Sequence, residues 1–236
     1  MGGRMTSLSK HARIAGLLYI LASLVGVLRL GYIPKTLFVH GNAAATAANI
    51  AAHESLFRLG FISELFGGVL WLLVPLALYQ LLEGVDRGLA IVMVILGSFM
   101  QVPIFFVNIG TDAAALLFAR GADFLSVFDK PQREAFVRLS LYLHHQLDLA
   151  NMVFWGLWLL PLGLLVYRSR FLPRFLGVWL TVACFAWVAL SFTGLLLPAY
   201  EDTVFDITQP IVLGEMVTAL WLVFLGAKER QVAPAS

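Results

Sequence analysis

The chain has 236 residues, of which 60% are hydrophobic and 13% are charged, and its formal net charge is +2. A soluble globular domain carries about 25% charged residues, so these charges are too few to cover a water-facing surface. The composition predicts one integral membrane domain over 1–236, with short tails at about 1–12 and 228–236, and gives no indication of nucleic acid as a partner. The single cysteine, Cys184, excludes an internal disulfide and a paired-thiol redox mechanism.

Six apolar stretches are long enough to cross a bilayer, because a transmembrane helix needs about 20 residues. In chain order they are 14–33, 59–82, 89–117, 147–167, 175–197 and 210–227, and the last could begin a few residues earlier. The first stretch follows Lys10 and Arg13 as a signal peptide would, but it lacks a clear cleavage site and Arg29 interrupts its end. The sequence therefore predicts an all-α polytopic bundle of six transmembrane helices whose main partner is the lipid bilayer.

Basic residues are divided unevenly between the two ends of these helices. An even number of spans places both tails and the loops at 83–88 and 168–174 on one side. That side carries Arg4, Lys10, Arg13, Arg87, Arg168, Arg170, Arg174, Lys228 and Arg230 against Glu83, Asp86 and Glu229. Because Lys and Arg accumulate in short cytoplasmic loops, we expect both termini to be cytoplasmic.

The longer loops on the opposite side are predicted to contain two amphipathic helices. Asn42 can cap a helix over 43–52, which could continue directly into the second span. Asp129 and Gln132 have the spacing of a capping box, and the helix that they open leads into the fourth span. One face of that helix carries Phe136, Leu139 and Leu143. We expect both helices to cover the bundle or to lie among lipid headgroups.

Charged side chains also occur inside the predicted spans, where each would cost about 2.5–3.5 kcal/mol at the bilayer centre. They are Arg29, Glu64, Asp112, Asp148 and Glu215. A rise of about 1.5 Å per residue places all five in the middle or outer half of the membrane. An alternative interpretation makes Arg29 and Asp112 boundary residues whose charges reach the headgroups.

Polar residues recur on one face of several spans. Gln101, Asn108 and Asp112 share a face of the third span, and His144, Asp148 and Asn151 share a face of the fourth. His53 and Glu64 do so in the second span, if that helix continues from the preceding loop. If these faces turn towards one another, they form a pocket that opens to the outer side.

The predicted pocket offers carboxyl groups for chemistry and polar groups for binding. The candidate catalytic residues are Glu215, Asp148, Glu64 and Asp112, and the candidate binding residues include Arg29, Gln101, Asn108 and Asn151. Clustered carboxyl groups could bind or relay protons. Glu215 is the strongest single candidate, because only a cavity lets a carboxylate near the membrane centre reach water.

A metal site is a second hypothesis. His144 or His145 could chelate together with Asp148 from one helix face, and His53 and Glu64 would complete a nitrogen and oxygen set for zinc or iron. His53 and His144 could alternatively hold a haem. No compact motif such as H-E-x-x-H is present, so the sequence requires no cofactor.

The aromatic residues predict a belt at the membrane surfaces. It would contain the six tryptophans together with Tyr32, Tyr142, Tyr167 and Tyr200, which lie near span ends.

Three stretches of the chain are characteristic of a known family. They are Asn42-Ala-Ala-Ala-Thr46-Ala-Ala-Asn49-Ile50 followed by Glu54-Ser-Leu-Phe57-Arg58-Leu-Gly60, then Tyr167-Arg168-Ser169-x-Phe171-Leu172-Pro173-Arg174-x-Leu176-Gly177, and Gly214-Glu215 leading to Leu220-Trp221-Leu222. They resemble the bacterial membrane family named domain of unknown function 4386, and the similarity runs from about Arg13 to Ala227. The resemblance implies a multi-pass protein of the bacterial inner (plasma) membrane, with no assigned reaction, substrate or cofactor. It places Glu54 and Arg58 in a family stretch, which makes them further candidates for binding.

Three functions are compatible with the sequence. The first is the binding or enzymatic processing of a small amphiphile, such as a lipid, an isoprenoid or a quinone, in the outer pocket. The second is proton-coupled or ion-coupled transport, although the inner half has almost no polar lining. The third is a non-catalytic partner or sensor subunit in which the acids are structural. The sequence does not decide whether the protein is an enzyme, and it does not indicate an oligomeric state.

Overall fold

The computed structural model describes residues 7–227, and every regular element in that range is helical. Six helical segments are long and apolar enough to cross a membrane, namely Ser7–Leu37, Glu54–Leu82, Arg87–Arg120, Lys130–Ser169, Arg174–Leu196 and Pro198–Phe224. The chain is therefore a polytopic α-helical membrane bundle, as the composition predicted. Helix begins at Ser7, inside the expected tail at 1–12, and the expected tail at 228–236 lies outside the described residues.

Several spans consist of more than one helical piece. Span 1 contains α1 (Ser7–Val27), a π-helical turn (Leu28–Tyr32) and α2 (Ile33–Leu37). The short α3 (Ala43–Ala52) precedes span 2, which is α4 (Glu54–Leu82). Span 3 contains α5 (Arg87–Val94), a π-helical turn (Ile95–Phe99) and α6 (Val102–Arg120). Span 4 contains α7 (Lys130–Leu157) and α8 (Leu159–Ser169), span 5 is α9 (Arg174–Leu196), and span 6 is α10 (Glu201–Phe224).

Consecutive spans are neighbours around the bundle. α1 packs against α4, α4 against α6, α6 against α7, α7 against α9, and α9 against α10, which returns to α1 and closes a ring. We call the end of the bundle with Ser7 and the loops at 83–86 and 170–173 the terminal face. The opposite end, with the segments at 38–53, 121–129 and 197–200, is the loop face.

Two apolar cores lie at different heights in this ring. The larger core fills the half near the terminal face with side chains such as Leu82, Met93 and Leu165. The smaller core lies near the loop face, where Ile50 of α3 packs with residues that include Val137 of α7. The intramembrane charged residues of spans 1 to 4 lie between these cores along the chain, so they occupy a polar layer between two apolar ones.

The loop-face helices match the sequence prediction in part. The capping box is confirmed, because the Asp129 side chain accepts from the Gln132 backbone N–H at 2.8 Å and the Gln132 side chain accepts from the Asp129 N–H at 2.9 Å. The expectation that 43–52 runs straight into span 2 is wrong, because the chain turns at His53 (φ −117°, ψ 42°). Leu139 and Leu143 are exposed, whereas Phe136 is half-buried and stacks on Phe118 with ring centroids 4.8 Å apart, so only part of the apolar stripe of α7 packs on the bundle.

The tryptophans do not all form a surface belt. Trp158 is fully buried, and its ring lies 5.7 Å from that of Tyr19 and 5.6 Å from that of Trp71, between ring centroids. Tyr19 and Trp71 also contact each other, at 5.6 Å. These three rings form an aromatic cluster inside the bundle, so the belt prediction is wrong for Trp71 and Trp158. The tyrosines that were assigned to the belt, Tyr32, Tyr142, Tyr167 and Tyr200, are exposed.

Candidate functional site

Arg29 lies at the centre of the polar layer. It belongs to the π-helical turn of span 1, and only 9% of its surface is exposed. A π-helical turn inserts an extra residue into a helix, and such turns are frequent at functional sites. Here the turn carries a cation within an apolar helix, where a charge is stable only beside opposite charges or polar groups.

The guanidinium of Arg29 joins three spans. Its Nε lies 2.7 Å from Oε2 of Glu64 on α4, and its Nη1 lies 3.2 Å from Oδ2 of Asp148 on α7. The same Nη1 is 3.2 Å from Nε2 of His144, and the Phe105 ring centroid lies 5.7 Å from the guanidinium carbon. This arrangement follows the expectation that the polar faces of the spans turn towards one another, and it opposes the interpretation of Arg29 as a boundary residue.

His144 lies between two carboxylates. Its Nδ1 is 2.8 Å from Oδ1 of Asp112 on α6, and its Nε2 is 3.5 Å from Oδ2 of Asp148. A guanidinium only donates hydrogen bonds, so a hydrogen bond from Arg29 to Nε2 requires the tautomer in which Nδ1 carries the proton. In that tautomer Nδ1 donates to Asp112, which fixes the orientation of the ring.

Two amides complete the layer. Asn108 donates from Nδ2 to Oδ1 of Asp148 at 2.8 Å, which is the carboxylate oxygen further from Arg29, at 3.5 Å against 3.2 Å for Oδ2. Gln101 donates to the backbone carbonyls of Leu96 and Phe154, each at 3.2 Å. Gln101 therefore ties the π-helical turn of span 3 to span 4 and has a structural role.

Several buried oxygens in this region have no hydrogen-bond partner within residues 7–227. They are both carboxylate oxygens of Glu64, Oε1 of Gln101 and Oδ1 of Asn108 and Asn151. Glu64 is fully buried, and its contact with Arg29 is an ion pair without regular hydrogen-bond geometry. These oxygens can therefore accept further hydrogen bonds, and each one that stays unpaired in a buried position costs about 1–3 kcal/mol.

A cavity of about 300 Å³ adjoins this network. The polar residues of its lining, which we call the charged wall, are Arg29, Asp112, His144, His145 and Asp148. The other lining residues, which we call the apolar wall, are Leu30, Ile33, Pro34, Phe38, Phe57, Gly60 and Leu141. The cavity lies on the loop-face side of the large core.

Glu215 lies apart from the other acids. It accepts hydrogen bonds from the hydroxyl of Tyr19 and from Nε1 of Trp187, the latter at 2.6 Å. Within residues 7–227, no hydrogen bond or ion pair joins it to Arg29 or Asp148. The sequence placed Glu215 in the same pocket as the other acids. Depth explains the separation, because Glu215 contacts Tyr19, which lies ten residues before Arg29 on span 1, or about 15 Å nearer the terminal face along a helix.

The family-stretch candidates lie near the loop face and outside the cavity. Oε1 of Glu54 is 2.7 Å from Nε of Arg58 and 3.1 Å from Nη1 of Arg120, and all three side chains are partly exposed. His145 lines the cavity but is also exposed, and its Nε2 lies 3.1 Å from Glu201 of α10. Glu54 and Arg58 therefore stabilise the start of α4 and do not contact the charge network.

The expected metal and haem ligands do not come together. Among residues 7–227, no three His, Cys, Asp or Glu side chains are placed to hold a metal ion. The guanidinium of Arg29 lies between Glu64 and Asp148, where a bound cation would have to sit. His53 is exposed and its Nδ1 lies 3.1 Å from the carbonyl of Asn49, so it does not pair with His144.

The sequence does not predict the two residues that donate hydrogen bonds to Glu215. Tyr19 and Trp187 hold the Glu215 carboxylate, and both lie in apolar stretches where an aromatic residue is unremarkable. A tyrosine hydroxyl in the middle of a span requires a partner, which is the feature that could have identified Tyr19.

The comparisons with known proteins identify a family and nothing more specific. The family model described as "Domain of unknown function (DUF4386)" matches residues 14–226. No curated protein and no solved structure matches the chain.

Proposed function

Because this chain belongs to the family described as Domain of unknown function (DUF4386), whose description assigns no reaction, we propose a function from the geometry: the integral membrane protein binds a small amphiphile in the loop-face cavity. The observation that carries the proposal is the division of one cavity into a charged wall and an apolar wall. Ligand pockets are mostly apolar with a few placed polar groups, and about 300 Å³ is the lower end of their usual volume.

The charged wall favours a neutral polar end on the ligand. Asp112 and Asp148 on this wall and Glu64 behind it are three carboxyl groups, whereas Arg29 with a protonated His144 supplies at most two positive charges. An anionic headgroup would therefore approach a charge network in which acids outnumber cations. Nη2 of Arg29 makes no hydrogen bond within residues 7–227, so it is available to a carbonyl or hydroxyl oxygen.

The apolar wall favours a hydrocarbon body next to that polar end. Phe38 and Phe57 lie on this wall together with Leu30 of the π-helical turn, Ile33 and Pro34 after it, and Leu141 of α7. Burial of hydrocarbon there contributes about 25 cal/mol per Å², whereas the polar end fixes the orientation of the ligand. A quinone, an isoprenoid alcohol or a neutral lipid has this combination of a neutral oxygen and a hydrocarbon chain.

His144 lines the cavity, and Asp112 orients its ring through Nδ1 as a carboxylate orients a general base. It can exchange a proton with a bound molecule through Nε2 only if the ligand displaces the Arg29 Nη1 that contacts this nitrogen. The proposal is primarily one of binding, and a chemical step on the ligand would use this group.

Transport through the bundle has less support. Between the cavity and the terminal face lie the aromatic cluster and the larger core, which is lined by aliphatic side chains such as Leu78 and Leu162. A transported polar solute or ion would need polar groups along this path. A non-catalytic subunit with structural acids accounts for the ion pairs, but it leaves the adjacent cavity without a role.

We also propose an orientation and a location. The described part of the terminal face exposes more Lys and Arg than acids, which supports a cytoplasmic terminal face in a bacterial inner membrane. The cavity would then lie in the outer half of the bilayer.

Native mass spectrometry of gently purified protein, with lipid extraction from the same sample, tests the proposal. We expect one retained neutral-headed amphiphile per chain, and Asp112→Asn should reduce its occupancy because it loosens His144 at the charged wall. Arg120→Gln is the control, since Arg120 pairs with Glu54 outside the cavity. A folded protein that retains no such molecule would contradict the proposal.

A further inference from the structure

A second cavity, of about 460 Å³, opens at the terminal face, at the opposite end of the bundle from the charge network. It lies where the beginning of α1, the end of α4 and the loop after α8 meet. Arg168 and Arg170 supply charge to its lining, whereas Leu8, Leu81, Val85 and Phe171 supply apolar surface. The proposed function makes no use of this cavity.

We propose that this cavity binds the headgroup of an anionic phospholipid from the leaflet at the terminal face. The two arginines hold the phosphate, and the apolar side chains contact the first part of the acyl chains. Basic pockets between transmembrane helices are suited to anionic headgroups. Guanidinium groups are also suited to phosphate, because their N–H groups match its oxygens in pairs.

Arg170 has no competing partner within residues 7–227, since it makes no hydrogen bond or ion pair there. It ends α8 in a left-handed conformation, with φ of 61°, which glycine or asparagine adopts more readily than arginine. Arg170 thus contributes a guanidinium, unpaired within the described residues, to the lining of the cavity.

Arg168 has one partner that a phosphate can replace. Its Nη1 lies 3.3 Å from Oδ2 of Asp86, and the two side chains are 55% and 40% exposed. An ion pair this exposed is weak, so Arg168 can turn towards a phosphate at little cost.

The surroundings of the cavity have the charge that the proposal requires. The described terminal-face residues include the exposed cations Lys10, Arg13, Arg87, Arg168, Arg170 and Arg174, against the acids Glu83 and Asp86. Because anionic lipids are attracted to such a face and the cavity joins charge to apolar surface, a phospholipid fits better than free phosphate.

The test compares lipids and variants in nanodiscs of stated composition. Wild-type protein released from phosphatidylglycerol nanodiscs should retain one phosphatidylglycerol in native mass spectrometry, and protein from phosphatidylcholine nanodiscs should retain none at this site. The double variant Arg168→Gln/Arg170→Gln should bind phosphatidylglycerol about 25-fold more weakly, from roughly fivefold per arginine. Arg168→Lys/Arg170→Lys keeps the charge but not the paired N–H donors, so it should bind more weakly than wild type and more tightly than the glutamine variant.

The control variant Arg87→Gln/Arg174→Gln removes the same charge from the same face, outside the cavity lining. It should keep the retained lipid. Equal losses in the two double variants would show diffuse attraction to the whole face and would overturn the proposal. Equal retention of phosphatidylcholine by the wild type, or equal thermal stabilisation by inorganic phosphate, would overturn it as well.

Discussion

At the scale of single residues, the arrangement depends on Arg29. It is the one cation in contact with both Glu64 and Asp148 within residues 7–227, and all three side chains are buried. A buried ion pair gives little net stability compared with apolar packing, but the loss of one partner leaves an uncompensated charge. The charged side chains are therefore compatible with a stable bundle only when all three are present together.

Arg29→Gln should lower the free energy of unfolding by about 3–5 kcal/mol, because Glu64 and Asp148 lose their counter-ion. Adding Glu64→Gln should recover part of that loss, which a double-mutant cycle in a denaturant titration would measure. Arg120→Gln, at an exposed pair, should cost no more than about 1 kcal/mol. If Arg29→Gln is as stable as Arg120→Gln, the charge layer is not a unit.

Glu215 provides a second prediction at this scale. In Glu215→Gln one of the two donors, Tyr19 or Trp187, faces an amide NH₂ and loses its acceptor. We expect a loss of about 1–3 kcal/mol in stability. Ligand occupancy in native mass spectrometry should not change, because Glu215 does not line the loop-face cavity. A folded Glu215→Gln protein with an empty cavity would show that ligand binding in the loop-face cavity depends on Glu215, which would contradict the separation of the two sites.

At the scale of helices, close crossings by glycine hold the spans together. A Cβ atom on Gly163 of α8 would lie 2.5 Å from Oγ1 of Thr181 and 2.7 Å from the carbonyl of Gly177 on α9. Small residues at such crossings let transmembrane backbones approach closely and pack. This close packing against span 5 fixes the position of span 4, which carries Asp148.

Gly163→Ala should therefore destabilise the bundle by about 1–3 kcal/mol, as overpacking does. The matched control is Gly110→Ala, where no atom lies within 4 Å of the added methyl group. That control should be neutral or slightly stabilising, because alanine favours helix over glycine. Thermal unfolding in the same detergent compares the two, and equal melting temperatures would contradict the tight crossing.

The sequence predicts helices better than it predicts how they meet. Apolar length and the capping box at Asp129 identify spans and helix starts, because both depend on neighbouring residues. The break at His53 and the π-helical turn around Arg29 depend on packing between spans, which no local pattern reveals. The sequence thus identified most residues of the charge network, but it could not show that α10 carries Glu215 away from them.

At the scale of the molecule, the loop-face cavity lies in the outer half of the bilayer only if the terminal face is cytoplasmic. Val127, in a loop at the loop face, is 80% exposed, Gly84 at the terminal face is exposed, and Cys184 is buried. In intact bacterial cells with a permeable outer membrane, an impermeant maleimide should label Val127→Cys and not Gly84→Cys. Inverted membrane vesicles should give the opposite pattern, and the wild type should stay unlabelled. Labelling of Gly84→Cys in intact cells would show that the terminal face is on the outside, which is the opposite of the proposed orientation.

Filling the loop-face cavity with a larger side chain is the most direct test of whether the amphiphile binds there. A Cβ on Gly60 would meet only Cδ1 of Ile33, at 3.6 Å, so Gly60→Leu can begin without a clash and adds side-chain volume at the cavity wall. Gly110→Leu adds the same side chain in open space. The account predicts that native mass spectrometry finds the amphiphile in wild type and Gly110→Leu but not in Gly60→Leu, with all three folded. Undiminished retention by a folded Gly60→Leu protein would show that the cavity is not the binding site.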